Sequence, residues 1–151
     1  MSAGGTLQTA SVSHTERYRA QHAEILRLAT DLKRHLSPAT LAADAGPARS
    51  ILSELSGKLL THLAAEDNVF YPQMLKSADA KTRALAQRFV AEMHPISEAF
   101  KRYVVRWGNA KTIQGNAEAF ARETQRIIQV LAERIRREQV ELYSRADGLS
   151  A

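Results

Sequence analysis

The sequence predicts an all-α protein, an up-down-up-down bundle of four helices. Three observations favour this class. Four long segments repeat apolar residues at helical spacing, no stretch alternates as a strand would, and the breaks between segments are short and contain Pro, Gly or Asn. At 151 residues the chain is long enough for one domain with a real core. We expect the bundle to span residues 13–146, between a flexible N-terminal segment at 1–12 and a tail at 147–151.

The first predicted helix spans residues 13–36. Ser13 and Glu16 have the spacing of a capping box, and "SPAT" follows the last apolar residue. The second predicted helix spans residues 47–71, with a proline in its first turn. Pro72 is expected to end or kink it.

The third predicted helix begins after Asp79 as its N-cap and runs to residue 107, where "GN" breaks it. Pro95 lies inside this segment and is expected to kink it. The fourth predicted helix begins after Asn116 and runs to about residue 146. Each pair of consecutive helices is joined by a short connection, as antiparallel neighbours require.

Composition excludes several kinds of site. The chain has no cysteine, which rules out disulfides, thiolate metal sites, iron–sulfur clusters and cysteine nucleophiles. No apolar run is long enough for a secretory signal or a membrane span, so we expect a cytoplasmic protein without a membrane partner. The net charge is +5, but basic and acidic residues interleave along the helices. This pattern is typical of a solvated surface, and nucleic acid is not an expected partner.

Inward-facing positions are predicted by steps of three and four residues. Among the polar residues at such positions, five are singled out because they stand where Leu or Ile would pack, and their burial is costly unless they are paired or bind an ion. They are His22, His62, Glu66, Arg134 and Glu138. The full stripes are Tyr18, His22, Ile25, Ala29, Leu32 and Leu36 in the first helix, Leu52, Leu55, Leu59, His62, Glu66 and Val69 in the second, and Phe120, Thr124, Ile127, Leu131, Arg134, Glu138 and Glu141 in the fourth.

A weak internal repeat relates the two halves of the chain. A shift of 72 positions places "HLAAEDNVFY" on "RIRREQVELY" and predicts two helical hairpins of related design. Residues four apart share a helix face, so one metal ion can bind two of these side chains while a third approaches from the facing helix. Imidazole and carboxylate ligands suit iron, manganese or zinc. The superimposed pairs are His22 with His94, His62 with Arg134, Glu66 with Glu138, and Tyr71 with Tyr143.

At these residues the chain resembles the hemerythrin-like family. "HLAAEDNVFYP" at 62–72 is similar to the HHE cation-binding signature, in which His and Glu one turn apart precede an apolar, aromatic and Pro ending. "QHAEIL" around His22 resembles the helix 1 motif of that family, and "EMHPIS" around His94 resembles its helix 3 motif. The resemblance implies a four-helix bundle that holds a non-haem di-iron centre. It also implies uses from reversible oxygen binding to the sensing of oxygen, nitric oxide or iron.

The resemblance also implies the ligands. Carried over by position, His22 and His62 hold one iron, Glu66 and Glu138 bridge, and His94 belongs to the second iron.

Two departures weaken the second metal position. Arg134 stands where the family has a histidine in helix 4, and a guanidinium cannot ligate a metal because it stays protonated. Glu98, not histidine, stands one turn after His94. Glu98 or Glu141 are the candidates to complete that position. Reversible oxygen transport is therefore less expected than in a fully liganded relative, and we expect one or two iron ions.

Three functions follow from these observations. The first is a non-haem iron domain that senses or binds oxygen or nitric oxide, or handles iron. The second is a metal-free interaction module in which the guanidinium of Arg134 lies between Glu66 and Glu138 as a buried salt-bridge cluster. The third, ranked lowest, is a di-iron oxidative enzyme, because the sequence reveals no substrate pocket or catalytic acid. Catalysis is therefore not the expected role, and the oligomeric state is not predicted.

Overall fold

A computed structural model of the chain describes residues 2–150, with the side chains of residues 15–148. Helices make up most of this part of the chain, and it contains no strand. The all-α prediction is therefore confirmed. The up-down-up-down connectivity stays a prediction, as does the flexibility of residues 1–12, whose side chains lie outside the described residues. No helix in the described part is long and apolar enough to cross a membrane.

The helices of the described residues are interrupted by two π-helical turns. We call these the first and the second π-helical turn, and each follows directly on a long α-helix. In chain order the elements are α1 (Ser2–Lys33), α2 (Pro38–Ala43), α3 (Gly46–Ala65), the first π-helical turn (Glu66–Phe70), α4 (Tyr71–Leu75), α5 (Ala80–Arg106), α6 (Ala110–Gly115), α7 (Ala117–Arg137), the second π-helical turn (Glu138–Tyr143) and α8 (Ser144–Ser150).

Two of the predicted helix starts are confirmed. The carboxylate of Asp79 accepts a hydrogen bond of 3.2 Å from the backbone N–H of Thr82 and caps α5. Asn116 is the N-cap residue of α7. The predicted start at Ser13 differs from the structure, because α1 begins at Ser2. A capping-box spacing marks a favourable first turn, but it does not stop the preceding residues from being helical.

Two short helices lie where the sequence predicts loops. Pro38 supplies the first turn of α2, and the side chain of Asn109 caps α6 by accepting a 2.7 Å hydrogen bond from the N–H of Lys111. Helix α2 packs against α6 and α7. The two connections thus meet at one end of the bundle, over buried Leu41 and Ile113.

Both π-helical turns begin at a glutamate of the predicted metal site. Glu66 and Glu138 are equivalent in the internal repeat, so the repeat extends to a local distortion that its sequence pattern did not predict. In the first π-helical turn the backbone N–H of Tyr71 donates to the carbonyl of Glu66, five residues earlier. This wider turn ends two residues before Pro72, and the helix continues through the proline to Leu75 instead of ending at Tyr71.

The π-helical turns change which residues face inward. Each turn accommodates one more residue than an α-helical turn, so a spacing of three and four residues fails beyond it. The predictions that Val69 and Glu141 face inward are therefore wrong. Val69 is 40% exposed, and Glu141 is half-buried in an ion pair with Arg137. The buried residues after the two glutamates are instead Phe70, Tyr71, Leu142 and Tyr143.

The interior contains two apolar clusters with the polar residues between them. The larger cluster includes Ile25, Leu59 and Ile135, and the smaller, mainly aromatic one includes Tyr18 and Phe70. Along α1, α3 and α7 the chain passes from one cluster to the other through a buried His or Glu. The predicted site thus lies at a boundary inside the bundle, enclosed by apolar packing on both sides.

Candidate metal centre

Four buried side chains bring their ligand atoms together. One imidazole or carboxylate atom of each lies within 4.8 Å of those of the other three. The side chains come from α1, α3 and the first residue of each π-helical turn, and their exposed fractions are between 0% and 3%. The four residues are His22, His62, Glu66 and Glu138.

Each histidine has one ring nitrogen engaged by a glutamine. Nδ1 of His22 lies 3.0 Å from Oε1 of Gln139, and Nδ1 of His62 lies 2.6 Å from Oε1 of Gln21. An amide oxygen only accepts, so Nδ1 must carry the proton in both rings. In the neutral form of each ring, Nε2 therefore presents a lone pair to the centre, which is the state that binds a metal. Burial also lowers the pKa of His62 and favours its neutral form.

The two lone pairs face carboxylate oxygens. Nε2 of His22 lies 3.1 Å from Oε1 of Glu138, and Nε2 of His62 lies 3.3 Å from Oε1 of Glu66. Neither Nε2 of His62 nor Oε1 of Glu66 has a hydrogen-bond partner, although both atoms are buried. Two acceptors at this distance need a proton or a cation between them. Two imidazoles and two carboxylates are a donor set that fits iron, manganese or zinc.

Two tyrosines connect the hairpins at the centre. Oη of Tyr71 donates to Oε2 of Glu138 at 2.7 Å, and Oη of Tyr143 donates to Oε2 of Glu66 at 2.5 Å. Each tyrosine thus binds the glutamate of the other half of the repeat. Burial, with the nearby carboxylate charges, raises the pKa of both phenols far above the usual value, so both remain donors in the metal-free protein.

The two carboxylates differ in proton affinity. Burial, reinforced by the charge of Glu138, raises the pKa of Glu66. Burial also acts to raise the pKa of Glu138, but the hydrogen bond and charge that His22 supplies when it is protonated, together with the charge of Arg134, outweigh burial and lower that pKa. In the metal-free state Glu66 is therefore the carboxylate that holds a proton.

Arg134 is buried beside the centre. Its Nη2 donates to Oη of Tyr71 at 3.0 Å and to the carbonyl oxygen of Phe89 at 2.7 Å, and it lies 4.0 Å from Oε2 of Glu138. The guanidinium carbon is 4.5 Å from the ring centroid of Phe89. The sequence predicts that this guanidinium lies between Glu66 and Glu138. The structure places it beside Glu138, and its described contacts do not include Glu66.

The structure does not bring His94 into the centre. Its side chain is exposed on α5, and it is absent from the group of converging ligand atoms. Phe89 and Met93 are the buried residues on this stretch of α5, and the residue after Met93 is rotated away from the interior by about 100°. The assignment of His94 to a second metal position therefore does not fit this structure.

The other candidates for the second position lie elsewhere. Glu98 is paired with Lys101 at 3.9 Å, and Glu141 is paired with Arg137 at 3.2 Å. Neither belongs to the group of converging ligand atoms.

The sequence did not identify the residues that orient the ligands. Gln21 directly precedes one ligand and Gln139 directly follows another, but glutamine at a helix surface carries no signal of such a role. The internal repeat superimposes Tyr71 on Tyr143, but it does not indicate that either phenol binds a carboxylate. Their pairing with the opposite glutamates depends on the π-helical turns, which no sequence pattern indicated.

The comparison with protein families agrees with this geometry. Residues 13–146 match the family described as the hemerythrin HHE cation binding domain. No curated protein and no solved structure gave a match to the chain. The matched range contains all four converging ligands and both π-helical turns. The chain therefore belongs to the hemerythrin HHE cation-binding domain family.

Proposed function

We propose that this chain is a non-haem iron protein that holds one iron ion at His22, His62, Glu66 and Glu138. We further propose that this ion binds and senses oxygen or nitric oxide. One observation carries the proposal: two imidazoles with their proton fixed on Nδ1 converge with two carboxylates in a buried pocket, where Nε2 of His62 and Oε1 of Glu66 lack a partner.

Arg134 supports a count of one ion. The residue is 4% exposed, and its Nη2 lies 4.0 Å from Oε2 of Glu138, the carboxylate oxygen that Tyr71 also binds. A fixed positive charge there repels a second cation and supplies no ligand. With His94 exposed, the second position has too few donors to bind an ion tightly.

The residues of the chain prepare the centre in three ways. The glutamines fix the histidine tautomers, the tyrosines orient the two carboxylates, and the aromatic cluster around Phe70 and Tyr18 keeps bulk water away. When bound, iron supplies a redox-active centre with coordination positions that a diatomic gas can occupy. A binding or sensing role is favoured over catalysis, because the four ligands are buried between two packed apolar clusters, a setting that suits a ligand as small as a diatomic gas.

The test is iron content combined with gas binding. Protein purified without chelator and reconstituted with ferrous ion under nitrogen should bind iron, and oxygen or nitric oxide should then change its visible spectrum. The His62→Ala variant is the control and should show neither. A folded parent protein that binds no iron would overturn the proposal and favour the metal-free interaction module. Iron binding without a response to either gas would favour iron handling over sensing.

A further inference from the structure

An open groove lies between α1 and α3, and His62, one of the four converging ligands, is among its lining residues. Its volume is about 630 Å³. One wall is a face of α1 and the other a face of α3. Most of the lining residues are exposed or half-buried, whereas His62 is only 2% exposed. The lining on α1 is Arg17, Ala20, Gln21 and Glu24, and the lining on α3 is Ser53, Glu54, Gly57, Lys58, Thr61 and His62.

Gly57 lies in the wall of this groove, and the packing around it does not require a glycine. It lies in the interior of α3, where glycine weakens a helix relative to alanine. A Cβ at this position would meet no atom within 4 Å, so no close neighbour requires glycine. Ser53, Gly57 and Thr61 are four residues apart and share one face of the helix. A side chain at position 57 would therefore project into the groove between its two hydroxyl-bearing neighbours.

The inner end of the groove is closed by one hydrogen-bonded pair. Gln21 is half-buried and its amide oxygen holds Nδ1 of His62 at 2.6 Å. Nε2 of the same ring is buried, unpartnered and turned towards Glu66 at 3.3 Å. The imidazole thus has one nitrogen at the groove and the other at the centre.

We propose that this groove is the route by which a divalent metal ion enters and leaves the centre, kept open by Gly57 and closed at its inner end by Gln21 and His62. The inference rests on the proposed metal function. The lining residues include three with side-chain oxygen atoms, Ser53, Glu54 and Thr61, and oxygen atoms can replace part of the hydration of a divalent ion as it passes.

The test fills the groove without changing the ligands. Gly57→Phe places a ring in the route, and Gly57→Leu is a second filled variant with higher helix propensity. Gly115→Phe is the matched control, because a Cβ there also meets nothing within 4 Å and the residue lines a different cleft, beside α2. Gly57→Ala controls for helix propensity with little added bulk. The probe is ferrous ion under nitrogen, and a ferrous chelator measures release.

The filled variants should bind the same amount of iron as the parent but load and release it roughly tenfold more slowly, a change of one decade in rate. Gly115→Phe and Gly57→Ala should exchange at the parental rate. Equal exchange rates in all folded variants would overturn the route while leaving the metal centre intact. A folded parent without iron would overturn the proposed function itself, and the two failures are separated by stoichiometry.

Discussion

The two histidines of the centre differ from ordinary buried histidines in their hydrogen bonding, because one ring nitrogen has a suitable partner and the other faces a carboxylate. In both rings Nδ1 meets a glutamine oxygen and Nε2 faces a carboxylate that cannot donate when ionised; Nε2 of His22 also lies 3.3 Å from Oη of Tyr143, whereas Nε2 of His62 has no hydrogen-bond partner. A structural histidine would be expected to satisfy both nitrogens with complementary partners. The two imidazoles are therefore arranged as ligands of a cation. Single substitutions can test the role of each ligand and of each glutamine that orients it.

His62→Ala should abolish tight iron binding. It removes one of four ligands, and the apolar clusters on both sides of the centre should keep the bundle folded. Iron per chain and far-UV circular dichroism measure the two effects. His94→Ala is the control, because His94 is exposed and should not affect iron content. Loss of iron in the His94 variant would show that α5 supplies a ligand.

Gln139→Ala should weaken iron binding without removing a ligand. The variant loses the oxygen that fixes the proton on Nδ1 of His22, and loss of such a partner costs about 10–100-fold in metal affinity. Competition with a chelator of known affinity measures the change, with Gln73→Ala on the exposed face of α4 as the control. An unchanged affinity in Gln139→Ala would contradict the proposed role of the glutamine.

At the scale of elements, the two π-helical turns explain where sequence reasoning succeeded and where it failed. The stripes predicted His22, His62, Glu66 and Glu138 correctly as buried, because up to each glutamate the chain follows α-helical spacing. Beyond each glutamate the wider turn inserts a residue, so Val69 is exposed. A local change of helix type follows from tertiary packing and from the needs of the site, and apolar periodicity carries no information about it.

The cross-hairpin tyrosines should stabilise the metal-free protein. Tyr71→Phe leaves Oε2 of Glu138 buried without that donor, which costs about 1–3 kcal/mol and, for a chain of this size, roughly 2–4 °C of melting temperature per kcal/mol. Tyr143→Phe should act on Glu66 in the same direction. Tyr103→Phe is the matched control, since its phenol pairs only with the neutral hydroxyl of Thr124. Equal, small effects in all three variants would contradict the pairing.

At the scale of the whole molecule, the centre couples metal, protons and stability. The raised pKa of Glu66 means that the metal-free fold binds this proton more tightly than the unfolded chain. Its contribution to stability is therefore complete below the usual pKa of 4.5 and is lost as the pH rises through the raised pKa. The pKa of Glu138 is lowered in the fold. The stability that Glu138 contributes is therefore present above the usual pKa of 4.5 and is lost as the pH falls through the lowered pKa.

The stabilisation by ferrous ion should therefore grow with pH. A bound metal replaces the proton on Glu66, and a ligand that binds only the folded state stabilises it by about 2.7 kcal/mol at 100 times its dissociation constant. Melting temperatures with and without ferrous ion under nitrogen, at about pH 5.5 and about pH 8, measure the effect. His62→Ala should show no gain at either pH. A gain that is constant or falls with pH would contradict the proton exchange.

The most direct measurement of the central claim is iron per chain in the parent and in Arg134→His. We expect one tightly held iron in the parent, because Arg134 brings a fixed charge next to Glu138 and His94 is exposed. Arg134→His supplies an imidazole at the repeat equivalent of His62 and removes that charge. It should bind more than one iron at saturating ferrous ion, with the second held weakly. Two tightly held irons in the parent, or none, would contradict the account.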